Sequence, residues 1–208
     1  MTRIKICGIT CVEDALAAAE MGADALGFNF AAGPRKILPE TAAQIIAGLP
    51  PFISTVGIFI DENLQIKEIC RACRIQIVQL HGSQSPPFAD SLAPMPVIRV
   101  IHVQNMESLN ILQSDQSSSA VLLDASVPGK LGGTGVTIDW DVAVRAKDFG
   151  KPVILAGGLN PDNVGEAIKK VRPYAVDVSS GVEAFPGKKD HNLLKEFIQN
   201  VRASDRCS

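Results

Sequence analysis

Short runs rich in valine, isoleucine and leucine recur along the whole chain, and a loop and an amphipathic stretch separate each run from the next. Nearly continuous apolar runs are typical of strands that are buried on both faces of a parallel sheet. We predict eight such strands, at residues 4–9, 23–29, 54–60, 77–82, 96–103, 120–125, 152–157 and 175–180. The pattern therefore predicts an α/β chain in which helices alternate with parallel strands.

The stretches between the strands carry the period of an amphipathic helix. In 66–73 apolar side chains stand at positions i, i+3, i+4 and i+7, and the same spacing recurs in 164–171. Asn160 and Pro161 precede the second of these, as a cap residue followed by proline at the first helical position. The interval 104–119 gives the weakest helical signal, because residues 116–119 are typical of a loop.

Eight strand–helix units within 208 residues, without a linker or a change of composition between them, predict one domain over 1–208. The fold class that we predict is α/β, a single (β/α)8 TIM barrel with short connections. A doubly wound open sheet is the alternative. The chain lacks the dinucleotide-binding fingerprint that would favour the open sheet.

Alternation along the strands predicts which side chains point into the barrel. The inward side chains are Lys5 and Cys7 in the first strand, Gln79 and His81 in the fourth, and Leu122 and Asp124 in the sixth. Active sites of such barrels lie at the carboxyl ends of the strands. One such residue alone could be structural, but reactive side chains at three strand ends predict an active site there.

Glycine-rich loops follow three of the strands. The sixth strand ends at Asp124, and a loop that includes Gly133 comes soon after it. The loops after strands seven and eight contain Gly157, Gly158, Ser180 and Gly181, which we predict to bind phosphate through backbone N–H groups. The alternative is that these glycines only make tight turns.

Composition excludes several classes of function. The net charge is −2 and no block of lysine and arginine stands out, so we predict no nucleic-acid partner. No apolar run approaches the roughly 20 residues of a membrane span, and no signal peptide is expected after Met1. Five cysteines, an odd number, suit a reducing cytoplasm. The sequence leaves monomer and homodimer open.

Seven motifs in order along the chain resemble those of the phosphoribosylanthranilate isomerases of tryptophan biosynthesis. They are KICGIT at 5–10, GADALGFNF at 22–30, VQLHG at 78–82, LD at 123–124, GGTG at 132–135, ILAGGL at 154–159 and DVSSGVE at 177–183. The resemblance implies a (β/α)8 barrel without cofactor or metal. It also implies the Amadori rearrangement of N-(5-phosphoribosyl)anthranilate to 1-(2-carboxyphenylamino)-1-deoxyribulose 5-phosphate. Gly33 and Ile138 depart from the residues usual in the family, serine and phenylalanine.

The resemblance assigns two catalytic roles, Asp124 as general acid and Cys7 as general base, in agreement with the strand geometry. An acid must be protonated, so the pKa of Asp124 should be raised. A base must be ionised, and Lys5 on the same face of the strand would favour the thiolate of Cys7.

The other site residues are assigned to the substrate. Arg35 is expected to bind the anthranilate carboxylate, since a guanidinium matches it. Gln79 and His81 are expected to line the sugar or ring pocket, and a structural hydrogen-bonding role is the alternative for both. Asp177 is expected near the substrate or, alternatively, paired with Lys5. A substrate-covering loop is expected around Gly133.

Two other functions compete with this interpretation. The first is a related barrel that isomerises the aminoaldose of histidine biosynthesis. The chemistry of that family resembles the work of two aspartates rather than of a cysteine and an aspartate, so Cys7 disfavours this alternative. A barrel that only binds or senses a phosphate ligand would have lost Cys7 or Asp124, and both are present. The Cys-x-x-Cys at 70–73 lies on an apolar helical stripe and lacks a second pair, which disfavours zinc or redox chemistry.

Overall fold

Eight parallel strands close into a barrel in the computed structural model, which describes residues 1–62, 65–82, 84–125 and 137–206. The strands are β1 Arg3–Cys7, β2 Ala25–Asn29, β3 Ser54–Phe59, β4 Ile77–Leu80, β5 Val97–Val103, β6 Ala120–Ala125, β7 Val153–Leu155 and β8 Ala175–Val178. Each strand pairs with the next in parallel, and β8 pairs with β1. The closure confirms the predicted (β/α)8 barrel and excludes the open sheet.

Several strands end earlier than predicted, and glycine is one physical reason. β1 ends before Gly8, whose φ is 77°, and β7 ends shortly before Gly157 and Gly158, whose φ values are 77° and 63°. A positive φ turns the chain out of the extended conformation, and glycine adopts it without steric cost. The loops of the site therefore begin sooner than the apolar runs suggested.

Helices surround the barrel, as the amphipathic stretches predicted. They are α1 Val12–Met21, α2 Pro39–Ala47, α3 Ile66–Cys73, α4 Pro86–Ser91, α5 Trp140–Ala146, α6 Pro161–Val171 and α7 His191–Arg206. The connection after β5 contains the 3₁₀ helix Met106–Gln113, in which Leu109 and Leu112 are buried at the three-residue period of such a helix. Among the helices of the described ranges, none is both long and apolar enough to cross a membrane.

The last unit contains elements that the sequence pattern did not predict. Between β8 and α7 the chain forms the 3₁₀ helix Ser180–Val182 and an antiparallel hairpin of β9 Glu183–Phe185 and β10 Lys188–Lys189. Gly187 lies in the turn with a φ of 88°. The hairpin brings charged side chains to the carboxyl end of the barrel.

Apolar side chains form two layers that follow the predicted alternation. Ile4 and Ile6 belong to the large layer between barrel and helices, whereas Leu122 belongs to a smaller layer inside the barrel. Lys5 points inward, where its Nζ lies 2.9 Å from Asp177 Oδ1. The odd and even positions of these strands therefore face the sides predicted from the sequence.

The two cysteines of α3 belong to the core. Cys70 and Cys73 are buried, and Cys73 Sγ donates a hydrogen bond to the carbonyl oxygen of Pro39 at 3.2 Å. Burial raises the pKa of Cys70 to about 12. Both thiols therefore serve packing.

Candidate active site

A cleft opens at the carboxyl ends of the barrel strands and collects most of the predicted site residues. Its lining includes Cys7, Arg35, Gln79, His81, Asp124, Gly157, Gly158, Asp177 and Ser180. Gly181 adjoins this lining without being part of it, and the prediction for Gly133 lies outside the described residues. The cleft is open to solvent, and the space within it and its mouth is about 730 Å³.

Asp124 lies near the end of β6 with its side chain in the cleft. One carboxylate oxygen, Oδ1, accepts a hydrogen bond from the backbone N–H of Ala125 at 2.9 Å. Burial, and to a lesser degree the charge of Asp177, raises the pKa of Asp124 to about 6. The raised pKa agrees with the direction expected from the sequence, and it gives this carboxyl group the capacity to donate a proton near neutral pH.

Gly157 allows the next loop to approach Asp124 closely. A Cβ atom at this position would lie 2.5 Å from the backbone nitrogen of Ala125 and 3.1 Å from Asp124 Oδ1. Such contacts, together with the positive φ, require glycine. The backbone after β7 is therefore held against the carboxyl group.

Cys7 is the last residue of β1 and lines the cleft. A Cβ atom on the adjacent Gly27 would lie 3.1 Å from Cys7 Sγ, so glycine makes room for the thiol. Burial raises the pKa of Cys7, although the charges of Lys5 and Lys189 act to lower it. Lys5 acts in the direction expected from the sequence, but desolvation is the larger effect, so the thiol is favoured over the thiolate in the free protein.

Lys5 and Asp177 form a buried ion pair beneath Cys7. Their side chains are 4% and 9% exposed, and Nζ and Oδ1 are 2.9 Å apart. Although burial opposes the charged form, Asp177 and Cys7 together raise the pKa of Lys5. Asp177 thus forms the alternative pairing considered from the sequence, and it also contacts the cleft.

Arg35 is fixed at the rim of the cleft by the hairpin. Its Nε and Nη2 donate to the two carboxylate oxygens of Glu183 at 2.8 and 2.6 Å. Lys189 donates to Glu183 Oε1 at 3.0 Å and to the carbonyl oxygen of Ser179 at 3.1 Å. Glu183 therefore orients Arg35 and leaves Nη1 without a hydrogen bond to a described residue.

The sequence pattern missed the contribution of Lys189. Its side chain is fully buried, and burial lowers its pKa. A lysine next to another lysine in a polar loop resembles an ordinary surface residue. The one available signal was the Phe-Pro-Gly sequence at 185–187, which is typical of a turn that folds the chain back.

The loops after β7 and β8 lie side by side, as phosphate binding would require. Ser180 begins a 3₁₀ helix, and Asn160 caps the amino end of α6 by accepting from the backbone N–H groups of Asp162 and Asn163. A Cβ atom on Gly181 would lie 1.9 Å from the carbonyl oxygen of Leu159. Gly181 is therefore required by the close approach of the two loops.

Two buried polar atoms in the cleft lining have no partner within the described residues. They are the hydroxyl oxygen of Ser179 and the amide oxygen Oε1 of Gln79. Buried polar atoms of folded proteins are nearly always paired, so unpaired ones facing a cleft indicate a ligand. Ser179 was not among the predicted phosphate residues, although it directly precedes Ser180.

Two histidines lie near Asp124, and of the two only His81 lines the cleft. His81 Nε2 is 3.9 Å from Asp124 Oδ2, and the rings of His81 and His102 are 4.9 Å apart at an angle of 59°. Burial lowers the pKa of His81 to about 4, and His102 and Lys5 add to this effect. Burial also lowers the pKa of His102. Both imidazoles are therefore neutral near pH 7.

His102 was given no role from the sequence, although the alternation of β5 contained the signal. Ile98 and Val100 belong to the layer inside the barrel. The next residue of the same parity is His102, which pairs in register with Asp124 of β6. Counting by twos along β5 would have placed this histidine beside Asp124.

Comparison with known proteins identifies the family. Residues 4–200 match the family described as N-(5'phosphoribosyl)anthranilate (PRA) isomerase. The chain belongs to this family of isomerases. Over 98% of its length it is 52% identical to the N-(5'-phosphoribosyl)anthranilate isomerase of Geobacter metallireducens, and the match covers 100% of that protein.

Solved structures of the isomerase family have the same fold. The phosphoribosyl anthranilate isomerase of Thermotoga maritima superposes with a TM-score of 0.91 at 43% identity, covering 98% of this chain and 100% of that one. A phosphoribosyl anthranilate isomerase in complex with reduced 1-(o-carboxyphenylamino)-1-deoxyribulose 5-phosphate gives a TM-score of 0.88 at 41% identity, with the same coverage. The resemblance inferred from the sequence motifs is confirmed.

Proposed function

We propose that this chain converts N-(5-phosphoribosyl)anthranilate into 1-(2-carboxyphenylamino)-1-deoxyribulose 5-phosphate, with Asp124 as general acid and Cys7 as general base. The observation that carries the proposal is the raised pKa of Asp124, about 6, in a cleft that Cys7 also lines. An acid whose pKa lies near the working pH transfers a proton efficiently. Family membership supports the choice of substrate.

The first step opens the furanose ring. Asp124 donates its proton to the ring oxygen while the bond between this oxygen and C1 breaks. The lone pair of the anthranilate nitrogen forms a C=N bond to C1, and the product is an iminium cation with a free hydroxyl group on C4. Asp124 becomes a carboxylate, which the positive charge of the iminium stabilises.

The second step moves hydrogen from C2. Cys7 as thiolate removes the C2 proton, and the electron pair of the C–H bond neutralises the iminium and leaves an enolamine, which tautomerises to the C2 ketone. In the free protein burial raises the pKa of Cys7. The cationic intermediate beside Cys7 lowers that pKa, and Lys5 and Lys189 act in the same direction.

The remaining groups bind the two ends of the substrate. Arg35 is oriented by Glu183 and presents Nη1 to the anthranilate carboxylate. The loops that contain Gly157, Gly158 and Ser180 receive the phosphate, and the unpaired hydroxyl of Ser179 adds a hydrogen bond.

The central part of the cleft receives the sugar and the ring. Gln79 and His81 line this part, and Asp177 acts by holding Lys5 beneath Cys7. The reaction moves only protons and electron pairs within the substrate, so it requires neither cofactor nor metal.

The thiol of Cys7 must stay reduced, which fits the cytoplasmic location that we propose. Cys7 and Cys11 are both free thiols, although they lie four residues apart in the sequence. The substrate is a small molecule, and the enzyme acts on it as a monomer or a homodimer.

The test is a fluorescence assay with substrate made in situ from anthranilate and phosphoribosyl pyrophosphate by the preceding enzyme. Loss of substrate fluorescence is followed with wild type, Cys7→Ser and the matched control Cys11→Ser. We expect wild type to be active, Cys7→Ser to lose about 10²–10⁴-fold in kcat/KM, and Cys11→Ser to keep its activity.

Two outcomes would contradict the proposal. No turnover by folded wild type would refute the activity itself, and the aminoaldose of histidine biosynthesis would be the next substrate to test. Turnover that survives Cys7→Ser would keep the activity but refute Cys7 as the base.

A further inference from the structure

Three neighbouring strands, β4, β5 and β6, each bring one metal-ligating side chain to the carboxyl end of the barrel. His81 directly follows β4, His102 lies in β5 and Asp124 lies in β6. Their ligand atoms lie within 4.8 Å of one another. The barrel itself sets this arrangement, because adjacent parallel strands deliver side chains of one parity to the same level.

Each of the three side chains has a ligand atom that no hydrogen bond to a described residue occupies. Asp124 uses Oδ1 for the backbone of Ala125, whereas Oδ2 faces His81 Nε2 at 3.9 Å. The rings of His81 and His102 lie against each other, and within the described ranges neither ring has a hydrogen-bond partner that would fix it. No rearrangement of a hydrogen-bond network is needed to turn these atoms toward a common point.

The donor set suits a borderline transition metal. Neutral imidazole is the preferred ligand of Zn²⁺, Cu²⁺ and Ni²⁺, whereas Mg²⁺ and Ca²⁺ prefer ligands that are all oxygen. Three protein ligands with one position open to water is the usual arrangement of an accessible zinc site.

The distances require only a small contraction. Ligand atoms about 2.0–2.1 Å from a tetrahedral Zn²⁺ lie about 3.3 Å from one another. Since the observed separations are at most 4.8 Å, each pair of ligand atoms must approach by no more than about 1.5 Å to close the site. Both imidazoles are only partly buried, which leaves room for this approach.

We propose that His81, His102 and Asp124 bind one divalent transition-metal ion of the Zn²⁺ type, and that this ion inhibits the enzyme by occupying Asp124. A carboxylate that ligates a metal does not carry the proton needed to open the furanose ring. The inhibition rests on the proposed role of Asp124, whereas binding of the ion does not depend on it.

Cys7 is the main competitor as a ligand, because thiolates bind Zn²⁺ strongly. Its sulfur is outside the group of atoms within 4.8 Å. Thiolate is the ligating form, and burial disfavours it in the free protein. The site therefore uses nitrogen and oxygen ligands, which the absorption spectrum of bound Co²⁺ distinguishes from sulfur.

The experiment measures binding of Zn²⁺ to the full-length protein by calorimetry, after removal of metal with EDTA. Four proteins are compared: wild type, His102→Gln, Cys7→Ser and the matched control His191→Gln. His191 is the remaining histidine of the chain and contacts Asp14 at the start of α7. We expect one ion per wild-type chain, an affinity at least about tenfold lower in His102→Gln, and unchanged affinity in the other two.

Co²⁺ and activity supply independent readouts on the same proteins. Wild type with Co²⁺ should show visible ligand-field bands without the near-ultraviolet charge-transfer band of a thiolate, and this spectrum does not depend on any variant folding. Zn²⁺ should inhibit the isomerase activity of wild type reversibly, with EDTA restoring it. His102→Gln should keep its basal activity and resist Zn²⁺, and Mg²⁺ should have no effect on either.

Four results would overturn the site. They are the absence of saturable Zn²⁺ binding to wild type, unchanged binding by folded His102→Gln, loss of binding in Cys7→Ser, and a thiolate band in the Co²⁺ spectrum. Zn²⁺ that binds with the expected ligands but leaves turnover unchanged would overturn the inhibition.

Discussion

Two aspartates near opposite ends of the barrel strands have opposite surroundings. Asp24 directly precedes β2 and accepts hydrogen bonds from Arg3 Nη1 at 2.8 Å, the backbone N–H of Ile4 at 2.9 Å and Arg202 Nη2 at 3.0 Å. Asp124, near the end of β6, accepts one from the backbone N–H of Ala125 among the described residues. Although burial acts in the other direction, the partners of Asp24 lower its pKa, whereas burial raises that of Asp124 to about 6.

The two aspartates therefore contribute to different properties of the same barrel, one to stability and the other to the proposed chemistry. Asp24 joins β1, β2 and α7 through ion pairs and hydrogen bonds, so its ionised form stabilises the folded chain. Asp124 has fewer such partners, so its ionised form costs free energy and it keeps its proton to a higher pH than an ordinary aspartate, with a pKa of about 6. The end of the barrel that carries Asp24 supports the fold, and the end that carries Asp124 is where we propose that the reaction takes place.

The largest expected effect is the loss of activity in Asp124→Asn. The amide keeps the shape of the carboxyl group and cannot donate the proton, so kcat/KM should fall by about 10³–10⁴-fold. Asp24→Asn is the matched variant, and we expect it to keep kcat/KM when measured at a temperature where it is folded. Equal losses of kcat/KM in the two variants would contradict the proposed difference between the two ends of the barrel.

Asp124→Asn should also raise the stability of the folded protein at pH 7, an effect that is smaller than the loss of activity and opposite in direction. The folded-state pKa of Asp124 is raised from 3.8 to about 6, so wild type loses stability as the pH rises through this interval. Asp124→Asn avoids that loss and should gain about 2–3 kcal/mol at pH 7, with the gain disappearing below about pH 4.

Asp24→Asn should lose about 2 kcal/mol at pH 7, because it removes charge-assisted hydrogen bonds. Its pKa is lowered from 3.8, so the stabilisation is present above that value and is lost as the pH falls through the folded-state pKa. Denaturant unfolding of both variants and wild type at pH 7 and pH 4 measures whether each substitution raises or lowers the free energy of unfolding. A loss of stability in Asp124→Asn at pH 7 would contradict the assigned surroundings of Asp124.

The alternation of side chains along the strands predicted much of the fold and of the site. Parity along the first, fourth and sixth strands placed Cys7, His81 and Asp124 in one cleft, because side chains of parallel strands alternate regardless of the rest of the chain. The same rule applied to β5 would have added His102. Geometry of this kind is local, and a sequence displays it directly.

The missed features depend on long-range packing. The net pKa of Cys7 depends on burial that barrel closure creates, whereas the opposing charge of its neighbour Lys5 is visible in the sequence. The hairpin that carries Glu183 and Lys189 has no alternating pattern of its own, and its ion pair with Arg35 spans 148 residues. The steric need for glycine at 181 comes from the carbonyl oxygen of Leu159 on the neighbouring loop, a contact that no local sequence pattern displays.

The most direct test of the contrast is a carbon NMR titration of the side-chain carboxyl groups in the free protein. Asp24 and Asp124 are assigned with the two Asp→Asn variants and followed in one experiment. We predict a titration midpoint near pH 6 for Asp124 and a titration midpoint below pH 3.8 for Asp24. Similar midpoints for the two groups, or a midpoint for Asp124 near 3.8, the ordinary aspartate value, would contradict it.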